Sequence, residues 1–380
     1  MSDIFPKNND RGLAALLKEF TQQKQEYENT KVKCGIVGRS GVGKSSLINA
    51  ITGEKLAPVG FGKETTIEAH EYSHRGLILV DLPGCGTARF PTSEYVNKLK
   101  LSDYDLFIFV TELRFFEDDK IVYSQLTTDL KKPCYFLRNK FDLALADAAH
   151  DGNDLTEAEV KAHIEANIRE NLTLEEAAKV YMVSARRPAH YDLPALLDDI
   201  REAFDGMKKV RLENDLAAWS KQALERKRAN AMRITSWYAA GAALNGLNPV
   251  IGLDITIDLS ILRQLATEVA QIYSLTAEHE DYWRGMLKGP HGHAVMQKAV
   301  SLSFKYGTEA AITSIVKAIG KSEVPKVFAK LIPFLGQALA CGAGLGLTYN
   351  FGRGMVNEYH QMAEEILAEM SSTGGGPTDP

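Results

Sequence analysis

Eight residues, Gly38 to Ser45, match the pattern GxxxxGK[ST] that cradles nucleotide phosphates. An apolar run precedes them and the helix-forming segment SLINAI follows, which is the context that the motif requires. Glycines allow backbone N–H groups to face phosphate oxygens without obstruction by Cβ atoms. Lys44 would supply positive charge to the β- and γ-phosphates, and Ser45 a hydroxyl ligand for Mg²⁺. The predicted phosphate-binding residues are Gly38, Arg39, Ser40, Gly41, Val42, Gly43, Lys44, Ser45 and Ser46.

A second motif, Asp81-Leu82-Pro83-Gly84, ends a later apolar run. Its aspartate is placed to hold Mg²⁺ through water, and Gly84 offers a backbone N–H to the γ-phosphate. A threonine between Lys44 and Asp81 should complete the metal site. We favour Thr66 as this ligand, with Thr65 as the alternative.

A third motif, Asn139-Lys140-Phe141-Asp142, predicts the base. Asp142 can accept hydrogen bonds from N1–H and the exocyclic amine of guanine. Adenine offers no such pair of donors and would leave the carboxylate unpaired, so the motif predicts GTP and not ATP. We expect Asn139 to brace the surrounding loops, Lys140 to pack over the base, and a backbone N–H at Ser184 or Ala185 to read the guanine carbonyl.

The groups that would activate water are less evident. Hydrolysis needs a group that orients water and a positive charge on the transition state. Cys85 follows Gly84, and a thiol orients water poorly. We therefore expect the catalytic group to come from another residue or another molecule. Arg89, in the same loop, is either an arginine finger or a solvated loop residue.

Five short apolar runs are long enough to be strands, and polar helical segments separate them. This alternation predicts an α/β P-loop domain with a mainly parallel, doubly wound sheet. Each motif lies at a strand's carboxyl end, where open α/β sheets bind ligands. The runs span residues 34–38, 77–82, 105–110, 134–139 and 180–185.

The remaining chain predicts helices. Residues 11–28 have helical periodicity, and no strand-like alternation follows residue 206. We expect an N-terminal helical segment (1–30), a GTPase domain (31–206), an all-α domain (207–370) and a flexible tail (371–380). The predicted helices after residue 206 span 207–232, 234–275, 278–281, 293–320 and 325–370, with breaks at Asn248-Pro249, Gly289-Pro290 and Pro333.

Composition limits the class of protein. Of the 380 residues, 45% are hydrophobic and the net charge is −5, so we exclude wholesale disorder and do not expect a nucleic-acid partner. Four cysteines form no CxxC pair, which indicates free thiols in a reducing cytosol. We also expect neither a secretory signal nor N-myristoylation. These features predict a cytoplasmic protein, with peripheral membrane attachment left open.

Two uncharged stretches, 234–253 and 331–352, could be confused with membrane spans. They contain Asn, Gln and Pro residues, which are costly against lipid, so we favour buried helices. Whether these stretches only pack or also touch a membrane surface is left open.

Several stretches resemble the immunity-related GTPases, a branch of the dynamin-like large GTPases. The resemblance covers nearly the whole chain. The phosphate loop is common to many GTPases, whereas Arg114-Phe115 and the two helical-domain stretches are more specific. The resembling stretches are GRSGVGKSSLINAI (38–51), DLPGCGTARFPTSEY (81–95), YDLFIFVTELRFFEDD (104–119), CYFLRNKFD (134–142), NPVIGLDITIDLSIL (248–262) and IPFLGQALACGAGLGLTYNF (332–351).

The resemblance implies one helical domain built from N- and C-terminal segments, and GTP-dependent dimerisation or oligomerisation at intracellular membranes. It also implies that Glu64, two residues before Thr66, positions water when two GTPase domains meet. The implied catalytic set is Glu64, Lys44 and Thr66. Asn139 departs from the family, because many members carry threonine there. A bacterial or divergent member would fit the absence of a lipid-attachment signal.

Three functions remain compatible with the sequence. The first is a GTPase, acting in defence or membrane remodelling, that assembles with GTP and hydrolyses it in trans. The second is a GTP-gated scaffold with negligible hydrolysis, which Cys85 favours. The third is an Era-like RNA- or ribosome-associated GTPase, but the basic run 221–233 includes Glu225 and predicts a solvated helix face.

Overall fold

The computed structural model describes residues 13–59, 68–112, 115–150, 155–172, 178–245, 259–321 and 339–372. Their contacts divide the chain into two units. We call residues 30–220 with 367–380 the sheet unit, and residues 1–29 with 221–366 the helical unit.

The sheet unit contains a six-stranded sheet with the order β2-β3-β1-β4-β5-β6. All neighbouring pairs are parallel except β2 and β3. The expected α/β fold with a mainly parallel sheet is therefore confirmed. The strands are β1 (Val32–Val37), β2 (His70–His74), β3 (Leu77–Asp81), β4 (Leu106–Thr111), β5 (Cys134–Arg138) and β6 (Val180–Met182).

The helices of the sheet unit lie between the strands or after the last of them along the chain. The N-terminal helix α1 (Leu13–Asn29) belongs to the helical unit and precedes them. The others are α2 (Lys44–Thr52), α3 (Thr92–Lys98), α4 (Glu117–Ser124), α5 (Phe141–His150), α6 (Glu157–Leu172), α7 (Leu193–Glu202) and α8 (Gly206–Asp215).

The core of the sheet unit explains why the central strands are apolar throughout. Every residue of β4 is buried, because helices cover both faces of a parallel sheet. Aromatic rings fill the space beside it: Phe109 lies 5.4 Å from Phe136 between ring centroids, and Tyr104 stacks on Phe107 at 5.4 Å. This packing fixes the carboxyl ends of the strands, from which the candidate site residues follow.

Strand β2 has no counterpart among the predicted strands. Its sequence, HEYSH, is polar, and most of its residues are not buried, as suits an edge strand. It pairs with β3 through a tight turn in which Arg75 has a φ of 57°. Neighbour pairing, and not an apolar pattern, makes this segment a strand.

Helix α8 and the segment after it group with the sheet unit. Trp219 donates its indole N–H to the Ala50 carbonyl at 2.8 Å, and Arg201 donates to the Ala217 carbonyl at 3.1 Å. These bonds attach the segment after α8 to the sheet unit, and the boundary expected at residue 206 from the loss of strand-like alternation stays a prediction.

The helical unit contains α1 and helices from the second half of the chain. They are α9 (Lys221–Asn245), α10 (Leu259–Ile272), α11 (Glu280–Met286), α12 (Gly289–Gly307), α13 (Glu309–Lys321) and α14 (Leu339–Ser372), the last of which belongs to this unit up to residue 366. Helix α12 begins at Gly289 with Pro290 in its first turn, where a missing N–H costs nothing, and not at residue 293 as expected. A break at Thr308 divides the predicted helix 293–320, and α14 continues through Ser372.

Small residues of α9 let α1 pack closely against it. Leu17, Ala239, Ala240 and Ala243 lie in one buried cluster. Trp237 is 1% exposed and donates its indole N–H to Gln23 Oε1 at 3.1 Å. The described part of the uncharged stretch 234–253 thus lies largely within this core. None of the described helices combines the length and apolar character needed to cross a membrane.

Candidate nucleotide site

The loop between β1 and α2 owes its shape to glycine. Gly43 has a φ of 91°, and a Cβ there would lie 2.4 Å from Asn139 Nδ2. A Cβ at Gly38 would lie 2.5 Å from the Val110 carbonyl oxygen. The loop therefore approaches two neighbouring segments more closely than any side chain would allow. Helix α2 begins at Lys44, so Ser45 and Ser46 lie in its first turn, where backbone N–H groups favour anions.

Lys44 is held inside this loop. The residue is 4% exposed, and its Nζ donates to the carbonyls of Gly38 at 2.9 Å and Arg39 at 3.1 Å. Asp81 Oδ1 lies 3.5 Å from the same nitrogen. Burial lowers the pKa of Lys44, and the neighbouring Asp81 carboxylate opposes this shift. The structure thus brings the predicted phosphate-binding lysine and the predicted metal carboxylate together.

Asn139 braces three loops. Its side chain donates to the Val42 carbonyl at 2.9 Å and accepts a hydrogen bond from the Ala185 N–H at 3.2 Å. Its backbone N–H donates to the Thr111 carbonyl at 2.8 Å. Since Asn139 is 1% exposed, these bonds form away from water. The residue joins the phosphate loop to the ends of β4 and β6.

The loop after β6 contacts the Asn139 side chain through a backbone amide. The Ala185 N–H donates to Asn139 Oδ1 at 3.2 Å. Ser184 is 1% exposed, and its hydroxyl has no hydrogen-bond partner within the described residues. The reading of the guanine carbonyl by a backbone N–H of Ser184 or Ala185 stays a prediction.

Lys140 and Asp142 follow the brace. Lys140 has a φ of 58°, and its Nζ donates to the Gly41 carbonyl at 2.9 Å and pairs with Glu112. Asp142 is half-buried in the first turn of α5. The lysine therefore spans from the predicted base site to the phosphate loop. The motifs in the sequence do not point to Glu112.

Cys85 faces α4. Its Sγ donates to Asp119 Oδ1 at 3.5 Å, while Asp119 Oδ2 accepts the Phe116 N–H at 2.9 Å. Burial raises the pKa of the Cys85 thiol, and Asp119 raises it further. Burial also raises the pKa of Asp119. A neutral thiol engaged with a carboxylate cannot accept a proton from water, so this position supplies no general base.

The segment after β4 contacts the phosphate loop through a pair that sequence reasoning missed. The Arg39 guanidinium carbon lies 3.3 Å from the Phe116 ring centroid, a cation–π contact. The preceding Phe115 is 5% exposed and packs against Phe136 at 5.6 Å. The family resemblance includes Arg114-Phe115, of which only Phe115 lies within the described residues. Nothing in that resemblance connects Phe116 with Arg39.

Of the remaining candidate residues, two lie within the described part of the chain and three lie outside it. Arg89 lies half-exposed and donates to Glu68 Oε1 at 2.6 Å. Gly84 is half-buried after β3, and among the described residues, its two chain neighbours apart, no atom lies within 4 Å of a Cβ built there. Glu64, Thr65 and Thr66 lie outside the described residues, so their roles stay predictions.

The matching family model and two of the most similar curated proteins all carry the same kind of description, that of interferon-inducible GTPases. The model of the family described as "Interferon-inducible GTPase (IIGP)" matches residues 7–273. Interferon-inducible GTPase 1 of Mus musculus is 29% identical over 254 residues, or 63% of this chain and 60% of the relative. Interferon-gamma-inducible GTPase 10 of Mus musculus is 28% identical, over 57% of this chain and 54% of the relative. The chain thus covers less than two thirds of these two relatives.

Longer and structural matches are also found. Interferon-inducible GTPase 5 of Rattus norvegicus is 25% identical over 89% of this chain and 75% of the relative. Among solved structures, Toc33 from Arabidopsis thaliana in complex with GDP and Mg²⁺ is 19% identical, covers 44% of this chain and 76% of its own, and has a TM-score of 0.31. Because the family model alone matches well over half of the residues, the chain belongs to the interferon-inducible GTPase family.

Proposed function

We propose that this protein binds GTP with Mg²⁺ at the carboxyl edge of its sheet. The observation that carries the proposal is the Asn139 brace, which joins the phosphate loop to the loop after β6. It fixes the phosphate-binding and base-reading segments relative to each other before any ligand arrives. Asp142, placed three residues later, would then select guanine by accepting two hydrogen bonds.

The residues present also fit a magnesium ion. Asp81 is 3% exposed and its carboxylate lies 3.5 Å from the Lys44 ammonium, while Ser45 follows Lys44 in the first turn of α2. Hard oxygen ligands of this kind are those that Mg²⁺ prefers together with phosphate oxygens. Ser45 and Thr66 would hold the ion, with Asp81 acting through water. The ion would neutralise negative charge on the β- and γ-phosphates.

We further propose that GTP is hydrolysed, and that self-association completes the catalytic machinery. Burial raises the pKa of the Cys85 thiol and its S–H donates to Asp119, so this position orients water poorly. The orienting group must come from elsewhere. Glu64 is our candidate, acting when two GTPase domains meet, with Arg89 as the alternative. This activity would serve defence or membrane remodelling, in the cytoplasm or peripherally at a membrane.

Binding and assembly can be tested separately. Titration with fluorescent nucleotides should give tight binding of GTP and GDP and none of ATP at comparable concentration. Sedimentation velocity should show larger species with a non-hydrolysable GTP analogue than with GDP. Equal affinity for ATP and GTP would overturn the nucleotide assignment, and identical sedimentation with both ligands would overturn GTP-dependent assembly.

A second candidate function is a GTP-gated scaffold with negligible hydrolysis. The contact between Cys85 and Asp119 favours it, because this contact leaves no acceptor directed at water from that position. If the protein is such a scaffold, GTP binding and assembly should be normal. GTP turnover should then stay near the uncatalysed rate at every protein concentration. Turnover that increases on assembly excludes it.

A further inference from the structure

The helical unit contains a cluster of one histidine and two glutamates. His360 and Glu364 lie one turn apart on α14, and Glu225 lies on α9. His360 Nε2 is 3.3 Å from Glu225 Oε1 and 3.8 Å from Glu364 Oε1. One ligand atom from each of the three residues lies within 4.8 Å of the others. Glu225 is more than a hundred residues from the other two in sequence, yet the fold brings one metal-binding atom of each residue to the same place.

His360 is not a surface residue that meets these carboxylates by chance. Its side chain is 5% exposed, whereas Glu225 and Glu364 are 60% and 45% exposed. The imidazole is therefore fixed by its surroundings with Nε2 facing the carboxylates. The Tyr273 ring lies against it, with 6.2 Å between ring centroids.

Two buried polar atoms at this place have no hydrogen-bond partner in the part of the chain that the structure describes. They are His360 Nδ1 and the Tyr273 hydroxyl. Burial raises the pKa of the Tyr273 hydroxyl. The charge of Arg228 lowers this pKa, and the charges of Glu225 and Glu364 raise it. Native proteins rarely leave buried polar atoms unpaired, and a bound ion or water is a usual reason where they do.

The charge of the cluster suits a cation. The two carboxylates are negative, and the positive charge of Arg228 is close: its Nη1 lies 3.9 Å from Glu225 Oε2. Arg228 is also engaged by Asn357, to which it donates at 3.1 Å. With a neutral imidazole, the group carries a net negative charge. A divalent ion would neutralise it and relieve the repulsion between the two carboxylates.

From these observations we propose that Glu225, His360 and Glu364 bind a divalent transition-metal ion of the Zn²⁺ type and thereby clamp α9 to α14. Zn²⁺ takes imidazole nitrogen and carboxylate oxygen at about 2.0–2.2 Å, so neighbouring ligands in a tetrahedron lie roughly 3.3 Å apart. The His360–Glu225 separation already has this value. The exposed glutamates close the longer gaps by rotation, and water takes the fourth position. Mg²⁺ is a poor fit, because it prefers oxygen ligands alone.

The test is a Zn²⁺ titration of the full chain, in excess Mg²⁺, against a chromophoric chelator. The parent should bind one tight Zn²⁺ that the double variant Glu225→Gln/Glu364→Gln binds about 100-fold more weakly, because the ligands are lost. Glu365→Gln is the matched control, since Glu365 adjoins Glu364 on α14 but pairs with Lys298 at 2.7 Å. This control should bind Zn²⁺ like the parent. All variants keep the same cysteines, so differences report the cluster.

Thermal melting gives the second readout. Zn²⁺ should raise the melting temperature of the parent and of Glu365→Gln, and leave that of the double variant unchanged, because binding to the folded state alone stabilises it. Equal Zn²⁺ affinity in parent and double variant would overturn the proposal. A parent that binds no Zn²⁺ would overturn it as well. A metal-free double variant that melts lower would then show that the two carboxylates support the fold without a metal.

Discussion

Two loops at the same edge of the sheet differ in how completely the chain itself equips them. In the phosphate loop, Lys44 is buried, paired with Asp81 and connected through Asn139 to the loop after β6. In the loop after β3, Cys85 is engaged by Asp119 and Arg89 pairs with Glu68 at the surface. The first loop is organised for a ligand, whereas the second directs no water-activating group at it.

This difference is what we expect if one chain builds the binding site and a second chain completes the catalytic site, as proposed above. Preorganised donors around the phosphates stabilise the bound nucleotide within one molecule. A group that orients water is useful only where it meets the γ-phosphate, and a second molecule can bring it there. We therefore predict large losses of binding for changes in the first loop, and small effects for Cys85.

Asp142→Asn, at the predicted base site beside Asn139, should have the largest effect on GTP binding. The amide would keep an acceptor for N1–H but would present a donor to the exocyclic amine of guanine, so GTP affinity should fall by about 1,000-fold. Xanthosine triphosphate, whose carbonyl replaces the amine, should gain affinity. Nucleotide titration of both ligands measures this. Unchanged preference for GTP would show that another group selects the base.

Lys44→Ala should weaken GTP binding by about 100-fold, the loss expected for roughly 3 kcal/mol of charged contacts to phosphate. Lys98→Ala is the control, because Lys98 lies at the surface of α3. Both variants should be compared by nucleotide titration, with thermal melting to verify folding. If Lys44→Ala bound GTP like the control, the buried lysine would have no role at the phosphates.

Asn139→Ala should lower the free energy of unfolding by about 2 kcal/mol, because the Val42 carbonyl and the Ala185 N–H would lose a buried partner. GTP affinity should fall as well, since the loops would no longer be held before binding. Denaturant unfolding and nucleotide titration measure the two effects. A stability loss with unchanged affinity would show that the brace supports the fold and not the site.

Cys85→Ser should have the smallest effect, changing GTP turnover by less than about threefold, because a hydroxyl can keep the contact with Asp119. The thiol that it replaces performs no step in the proposed hydrolysis. Steady-state turnover of assembled protein is the measurement. A loss of tenfold or more would show that the loop after β3 does contribute catalysis in cis, and would remove the difference between the two loops.

Much of the fold can be predicted because the parallel strands are apolar on both faces. The run DLFIFV marks β4, every residue of which is buried. By contrast, HEYSH forms β2 only because β3 lies beside it, a neighbour relation that composition does not encode. Helix boundaries are harder to predict: Gly289-Pro290 is typical of a break, but proline in a first turn begins α12.

The candidate site also has a part that the sequence predicts and a part that it does not. Motif spacing predicts the positions of Lys44, Asp81 and Asn139, because the carboxyl ends of parallel strands meet at one edge. The contact between Cys85 and Asp119 spans 34 residues and follows no spacing rule, so the sequence does not predict it. The bond from the Ala185 N–H to Asn139 likewise depends on loop geometry, which motif spacing does not encode.

The central claim is that one chain binds GTP but needs a second to hydrolyse it efficiently. GTP turnover per molecule, measured over a wide range of protein concentration for the parent and Glu64→Ala, tests it most directly. We predict that turnover per molecule rises with concentration in the parent and stays low in Glu64→Ala, with GTP binding retained in both. Turnover per molecule that does not depend on concentration in the parent would contradict the claim.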